Sequence, residues 1–163
     1  MNAGFNEIMW KQFGASIDML ENAISSCPAD VWSGEFKFWY TTYHTIFFLD
    51  YYCSSDPANF APPAPFGFSE FDPAGVLPER VYSKNELLDY LEFARKKCFD
   101  LLVGLTDELA NKKFINQFSD YTMMEMLIYN LRHIQHHVGQ LNLVLRQQTD
   151  SAPGWVSQGR KSY

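Results

Sequence analysis

Apolar residues recur in steps of three and four near the start of the chain, at Phe5, Ile8, Met9, Phe13, Ile17, Leu20 and Ile24. That spacing follows the helical period and predicts an amphipathic helix over residues 5–24. Pro28 closes it, because proline supplies no N–H and restricts the residue before it. A second helix is expected over residues 35–52, crowded with Phe38, Trp39, Tyr43, Phe47, Phe48 and Tyr51. Aromatics also suit strands. A run of this length with no Gly or Pro after Gly34 is long for a strand and ordinary for a helix.

Two capping boxes mark the later helices. Ser83 with Glu86, and Thr122 with Glu125, each pair a hydroxyl with a Glu three residues on, ahead of an apolar run. The third helix is expected over 84–105, with Leu87, Tyr90, Leu91, Ala94, Cys98, Leu101, Leu102 and Leu105 inward. The fourth runs to about residue 147 along the seam Leu127, Leu131, Ile134, Val138, Leu141 and Leu145. Residues 54–82 hold six of the eight prolines together with Phe60, Phe66, Phe68 and Phe71. Regular structure is not expected there, but the phenylalanines should pin the segment to the body as an ordered crossover. The connection 106–121 is polar and basic, with Phe114, Ile115 and Phe118 as anchors. The tail from Thr149 should be loose, with Trp155 and Val156 available to dock. These elements predict an all-α fold: one four-helix bundle domain over 1–150, then a tail over 151–163. A long second connection lets helices two and three run parallel, so the order is up-down-down-up.

Composition narrows the function. A chain of 163 residues, 47% hydrophobic and 17% aromatic, suits one domain with a real core and is not a disordered composition. Its net charge of -6 argues against nucleic acid, which needs clustered Lys and Arg. No apolar run is long enough to span a membrane. Residues 1–10 lack a basic stretch followed by an apolar one, so no secretion signal is expected. Cys27, Cys53 and Cys98 are odd in number, scattered and without a CxxC pair. Reduced thiols in a cytoplasmic protein are the expectation.

The candidate chemistry lies in histidines. His133 and His137 stand four apart on the fourth helix, beside the core seam. At that spacing two imidazoles differ by about 40° around the axis and reach one ion. From the residues alone the pair is as well explained by two core histidines satisfied by hydrogen bonds. His44, in the aromatic second helix, is on its own better explained as a buried histidine bonded to a tyrosine or a carbonyl. His136 lies about 100° from His137, on the flank. A zinc-protease HExxH motif is excluded because Ile134, not Glu, follows His133. A di-iron bundle is excluded because neither His44 nor His133 has a Glu three residues earlier. Gly139 costs about 1 kcal/mol in a helix relative to Ala. It is either a close backbone approach beside the site or a tolerated helix glycine. Gln140 orients a ligand or is a solvated polar residue. Tyr40, Tyr43 and Tyr129 are candidate pocket walls.

The string His133-Ile134-Gln135-His136-His137-Val138-Gly139-Gln140-Leu141 resembles the H-x-x-x-H-x-G-Q segment in the last helix of the DinB/YfiT-like superfamily. The resemblance extends by helix order and long crossover over about residues 5–147. It implies an up-down-down-up four-helix bundle whose metal triad takes a third histidine from the second helix, a position matched by His44. It therefore implies His44, His133 and His137 as metal ligands, zinc or nickel as the metal, and a low-molecular-weight thiol as cosubstrate. The activity so implied is a metal-dependent thiol transferase, or a related hydrolase or isomerase, acting on a small-molecule substrate. The alternative is a non-catalytic metal-binding or stress-related bundle. A homodimer is expected, with no nucleic-acid or membrane partner.

Overall fold

The computed structural model describes residues 3–116 and 119–159. It is predominantly helical, as the apolar periodicity predicts. Four long helices carry the core: α1 (Ala3–Ser26), α3 (Phe38–Tyr52), α4 (Lys84–Val103) and α6 (Met123–Thr149). Two short ones, α2 (Ala29–Trp32) and α5 (Asp107–Asn111), lie between them. α1 packs against α4 and α6, and α3 packs against the same two helices. The apolar faces thus meet around one shared interior containing Phe13, Ile17, Tyr43, Phe47, Leu91 and Ile134.

Both capping boxes form. The Ser83 hydroxyl accepts from the Glu86 N–H while the Glu86 carboxylate accepts from the Ser83 N–H, and Thr122 with Glu125 repeats the exchange. Each satisfies two otherwise orphaned donors and fixes where its helix begins. α3 starts at Phe38, later than expected, because α2 occupies 29–32 and Lys37 turns the chain in a left-handed conformation, φ 48°. In α1, Ile8 faces solvent and Trp10 takes the inward place, its ring 4.9 Å from that of Phe99.

The proline-rich crossover is ordered and docked, as its phenylalanines suggest. The Trp32 indole N–H donates to the Tyr82 carbonyl at 2.9 Å, and the Tyr43 hydroxyl donates to the Gly67 carbonyl at 2.9 Å. Phe66 stacks on Tyr90 with centroids 4.3 Å apart. Phe60 and Phe66 are buried and Phe71 partly so, whereas Phe68 stays 52% exposed. The connection 106–121 is more structured than its composition suggests. It holds α5, capped by the Thr106 hydroxyl, and an antiparallel pair β1 (Lys113–Ile115) and β2 (Asp120–Thr122). Strand alternation buries Phe114 and turns Ile115 outward. Phe118 lies outside the described residues.

The tail corrects an expectation: over the described residues it lies along α1 instead of hanging loose. The Gly159 N–H donates to the Lys11 carbonyl at 2.9 Å. The backbones of Gly14 and Gly159 come so close that a Cβ on Gly159 would sit 2.4 Å from the Gly14 Cα. Val156 packs on the core, while Trp155 does not dock and is exposed.

The core also contains charge. Asp50 on α3 is fully buried; the Lys97 ammonium donates to it at 2.6 Å and the Tyr90 hydroxyl at 2.9 Å. Burial pushes the Asp50 carboxyl up, against the pull of Lys97 and of the two hydrogen bonds. Arg95 on α4 is 2% exposed and donates to both Asp18 and Glu21 of α1. No helix among the described residues is long and apolar enough to cross a membrane.

Candidate metal centre

α3 and α6 bring His44, His133 and His137 together. The Thr122–Glu125 capping box fixes where α6 begins. The seam of Leu127, Ile134, Val138, Leu141 and Leu145 is buried and fixes its rotation. His133 and His137 therefore stand on the flank of that seam facing α3. His44, between buried Tyr43 and Thr45, faces back. The Nε2 atoms of His133 and His44 are 3.2 Å apart, and those of His137 and His133 are 3.1 Å apart. One nitrogen from each ring lies within 4.8 Å of the other two.

The outer nitrogens decide what those three inner atoms are. His44 Nδ1 lies 2.5 Å from a carboxylate oxygen of Glu70. A carboxylate only accepts, so Nδ1 carries the proton and Nε2 presents a lone pair. His137 Nδ1 lies 2.7 Å from the Gln140 side-chain carbonyl, Oε1, which fixes the same tautomer. The Gln140 amide N–H₂ then donates to His136 Nε2 at 3.2 Å. Gln140 is thus the orienting residue, and His136 sits outside the triad. His133 is in between. Its Nδ1 is buried with no hydrogen-bond partner. A proton on Nδ1 would therefore be an unpaired buried donor, and one on Nε2 could reach only one of two waiting lone pairs. Unpaired buried polar groups cost about 1–3 kcal/mol.

The protonation states agree. Burial, then the neighbouring His137 and His44, pushes His133 down to about 3. Burial also dominates at His137 and pushes it down to about 4, against the hydrogen bond to Gln140. Both rings are therefore neutral near pH 7, the form that ligates metal. Three converging imidazoles, two of them with Nδ1 held outward by Glu70 and Gln140, are a donor set that fits a divalent cation.

Glu70 escaped the sequence reading. It arrives on the crossover, its side chain only 2% exposed, and no spacing rule connects residue 70 with residue 44. The single hint is an acid set among the apolar anchors Phe66, Phe68 and Phe71. Gly139 goes the other way: a Cβ there would meet open space, so no backbone approaches it and the close-approach reading is wrong. Of the candidate tyrosines, Tyr129 packs beside His133, with centroids 6.5 Å apart. Tyr40 lies beside His44, its hydroxyl pushed up to about 12 by burial and then by the Glu70 charge. Tyr43 is spent on the Gly67 carbonyl.

Two openings border the triad. One is lined by Tyr129, Arg132, His133, Gln135 and His136. The other is a cavity of about 670 Å³ whose walls include Phe48, Tyr52 and Tyr129. Those three rings also pack on His133, at centroid distances of 5.5, 5.9 and 6.5 Å.

A family model described as the DinB superfamily matches residues 12–141, most of the chain, and the chain belongs to that superfamily. No match was found among curated proteins or among solved structures.

Proposed function

We propose that this DinB-superfamily chain binds a divalent metal ion, zinc or nickel, through His44, His133 and His137, and uses it as a thiol transferase. The supporting observation is the convergence of three Nε2 atoms, two with tautomers fixed by Glu70 and Gln140. A divalent cation held by three imidazoles with one position open acts as a Lewis acid and lowers the pKa of a protic group bound to it. The protein's own residues then have definable tasks. Glu70 and Gln140 hold the outer N–H groups, which orients the rings and raises their basicity. Phe48, Tyr52 and Tyr129 pack on one side of His133 and hold its ring in place, leaving its other side open. The open side admits a low-molecular-weight thiol and a small electrophile; a related hydrolase or isomerase would use the same arrangement.

The four long helices are proposed as an up-down-down-up bundle within a domain spanning 1–150, in line with the pairing of α1 and α3 with α4 and α6. The protein is proposed to be cytoplasmic and homodimeric, without a nucleic-acid or membrane partner. The test is elemental analysis of protein purified without tag or chelator, followed by thiol transfer to an electrophile, comparing wild type with His137→Ala. Stoichiometric zinc or nickel and turnover that the variant lacks are expected. Metal without turnover would favour the non-catalytic metal-binding alternative, and absence of metal would remove both.

A further inference from the structure

The cavity between the crossover and helices α3 and α6 is not explained by holding a metal. Its walls include seven aromatic rings: Phe48, Tyr51 and Tyr52 of α3, Phe60, Phe68 and Phe71 of the crossover, and Tyr129 of α6. At about 670 Å³ it lies within the range of small-molecule pockets. A proline-rich connection needs no such surface merely to cross the bundle. Phe68 in particular is 52% exposed and gains little by burial in the core.

The charge of the cavity selects its occupant. Among the described residues Glu70 is the one charged residue lining it, yet its carboxylate does not serve the cavity. One oxygen accepts from His44 and the other is buried out of solvent reach. Among the described residues no Lys or Arg lines the walls. An anion would therefore meet no cation and would feel the Glu70 charge. A cation would lose its hydration without reaching the shielded carboxylate. An uncharged ring loses nothing on entry and stacks on aromatic walls. Asn116 and Ser119 make one stretch of the cavity rim polar.

We infer that this cavity binds an uncharged aromatic molecule, the substrate whose reacting end is directed toward His133. The direction follows from shared walls, because Phe48, Tyr52 and Tyr129 line the cavity and pack on the His133 ring. Only this direction rests on the metal-centre reading; binding in the cavity does not.

The experiment is calorimetric titration of the full chain, with its metal content measured alongside, using three probes of one shape: 2-naphthol, 2-naphthoate and 2-naphthylmethylammonium. Binding of 2-naphthol at least about tenfold tighter than either charged probe is expected, since a charge buried without a partner is disfavoured. Ala58→Trp places a bulky ring at an exposed lining position and should abolish binding. Phe68→Ala removes a half-exposed wall and should weaken it about fivefold. Neither change touches a core residue, so both variants should keep the wild-type circular dichroism spectrum. No 2-naphthol binding, equal or tighter binding of a charged probe, or indifference to both substitutions would each overturn the inference. Naphthol binding by a protein that holds no metal would uphold the cavity and sink the metal centre. Metal without naphthol binding would do the reverse.

Discussion

His44 and Asp50 stand six residues apart on α3, and the polar clusters around them differ in kind. The Asp50 cluster is complete. Its carboxylate takes two hydrogen bonds, from Lys97 and Tyr90, and the Lys97 ammonium also donates to the Asp50 backbone carbonyl. The histidine cluster is not complete: its three Nε2 atoms face one another, and His133 Nδ1 and one Glu70 oxygen are buried without a partner. A buried polar group without a partner destabilises a fold. A cluster that stabilises shows balanced donors and acceptors, whereas one shaped for something to be bound shows a surplus of one kind. Burial alone would not have separated them.

The largest effect should come from opening the balanced cluster. Lys97→Ala leaves the Asp50 carboxylate, 0% exposed, without its counter-charge. Removing one member of a buried pair typically costs about 3–5 kcal/mol, measurable by urea unfolding, and metal content should not change. The pH dependence has a definite sign. The folded-state carboxyl already titrates above its ordinary value because of burial, and losing Lys97 raises it further. Where the folded pKa exceeds the unfolded one, the folded state holds the extra proton between the two. The deficit should therefore be full above the raised value and shrink as pH falls toward the ordinary carboxylate range. A deficit constant with pH would mean that Asp50 is not the charge being exposed.

The reciprocal variant is His133→Ala. It removes the orphaned nitrogen and should leave metal-free stability within about 1 kcal/mol, since a partly exposed polar ring is lost from an unsatisfied site. Affinity for zinc should fall by at least about a hundredfold, beyond what loss of an outer partner usually costs. Chelator competition measures it. Large destabilisation of the metal-free chain would show that the triad is structural and erase the contrast with Asp50.

Glu70 tests whether the outer shell acts on the inner one. Glu70→Leu should weaken zinc binding by about tenfold to a hundredfold, while Glu70→Gln, whose carbonyl still accepts from Nδ1–H, should recover much of it. Nitrogen chemical shifts of His44 add a readout that packing alone would not move. The proton should sit on Nδ1 in wild type and Glu70→Gln, and redistribute between the two nitrogens in Glu70→Leu.

What the sequence disclosed follows from how each contact is encoded. Helix α6, its capping box and its seam were legible because they depend on residues three and four apart. The pair His133–His137 was legible for the same reason. Resemblance, not spacing, singled out His44, since contact across 89 residues leaves no local pattern. Glu70 and the aromatic cavity come from a crossover without period, where composition promised only that the segment would dock. The short helix α5 and the strands of three residues are too brief for any periodicity to register. Tail docking rests on two glycine backbones in contact, which hydrophobic pattern does not record.

The smallest effect is expected at Arg95, which looks like the most perilous position. Its guanidinium is 2% exposed, but the partners it would abandon are not: Asp18 is 13% exposed and Glu21 30%. After Arg95→Met both carboxylates can hydrate further, unlike Asp50, and the methionine stem keeps much of the packing between α1 and α4. Exchange of a buried charge for an apolar side chain of similar length is often close to neutral. A loss of about 1 kcal/mol or less is expected in urea unfolding, well below that of Lys97→Ala. The difference should persist at pH 7 in high salt, because it arises from burial of the abandoned partner and not from long-range field. Equal losses at the two positions would mean that burial of the cation, and not of the anion left behind, sets the cost, and the distinction drawn between balanced and surplus clusters would have to be rebuilt on that basis.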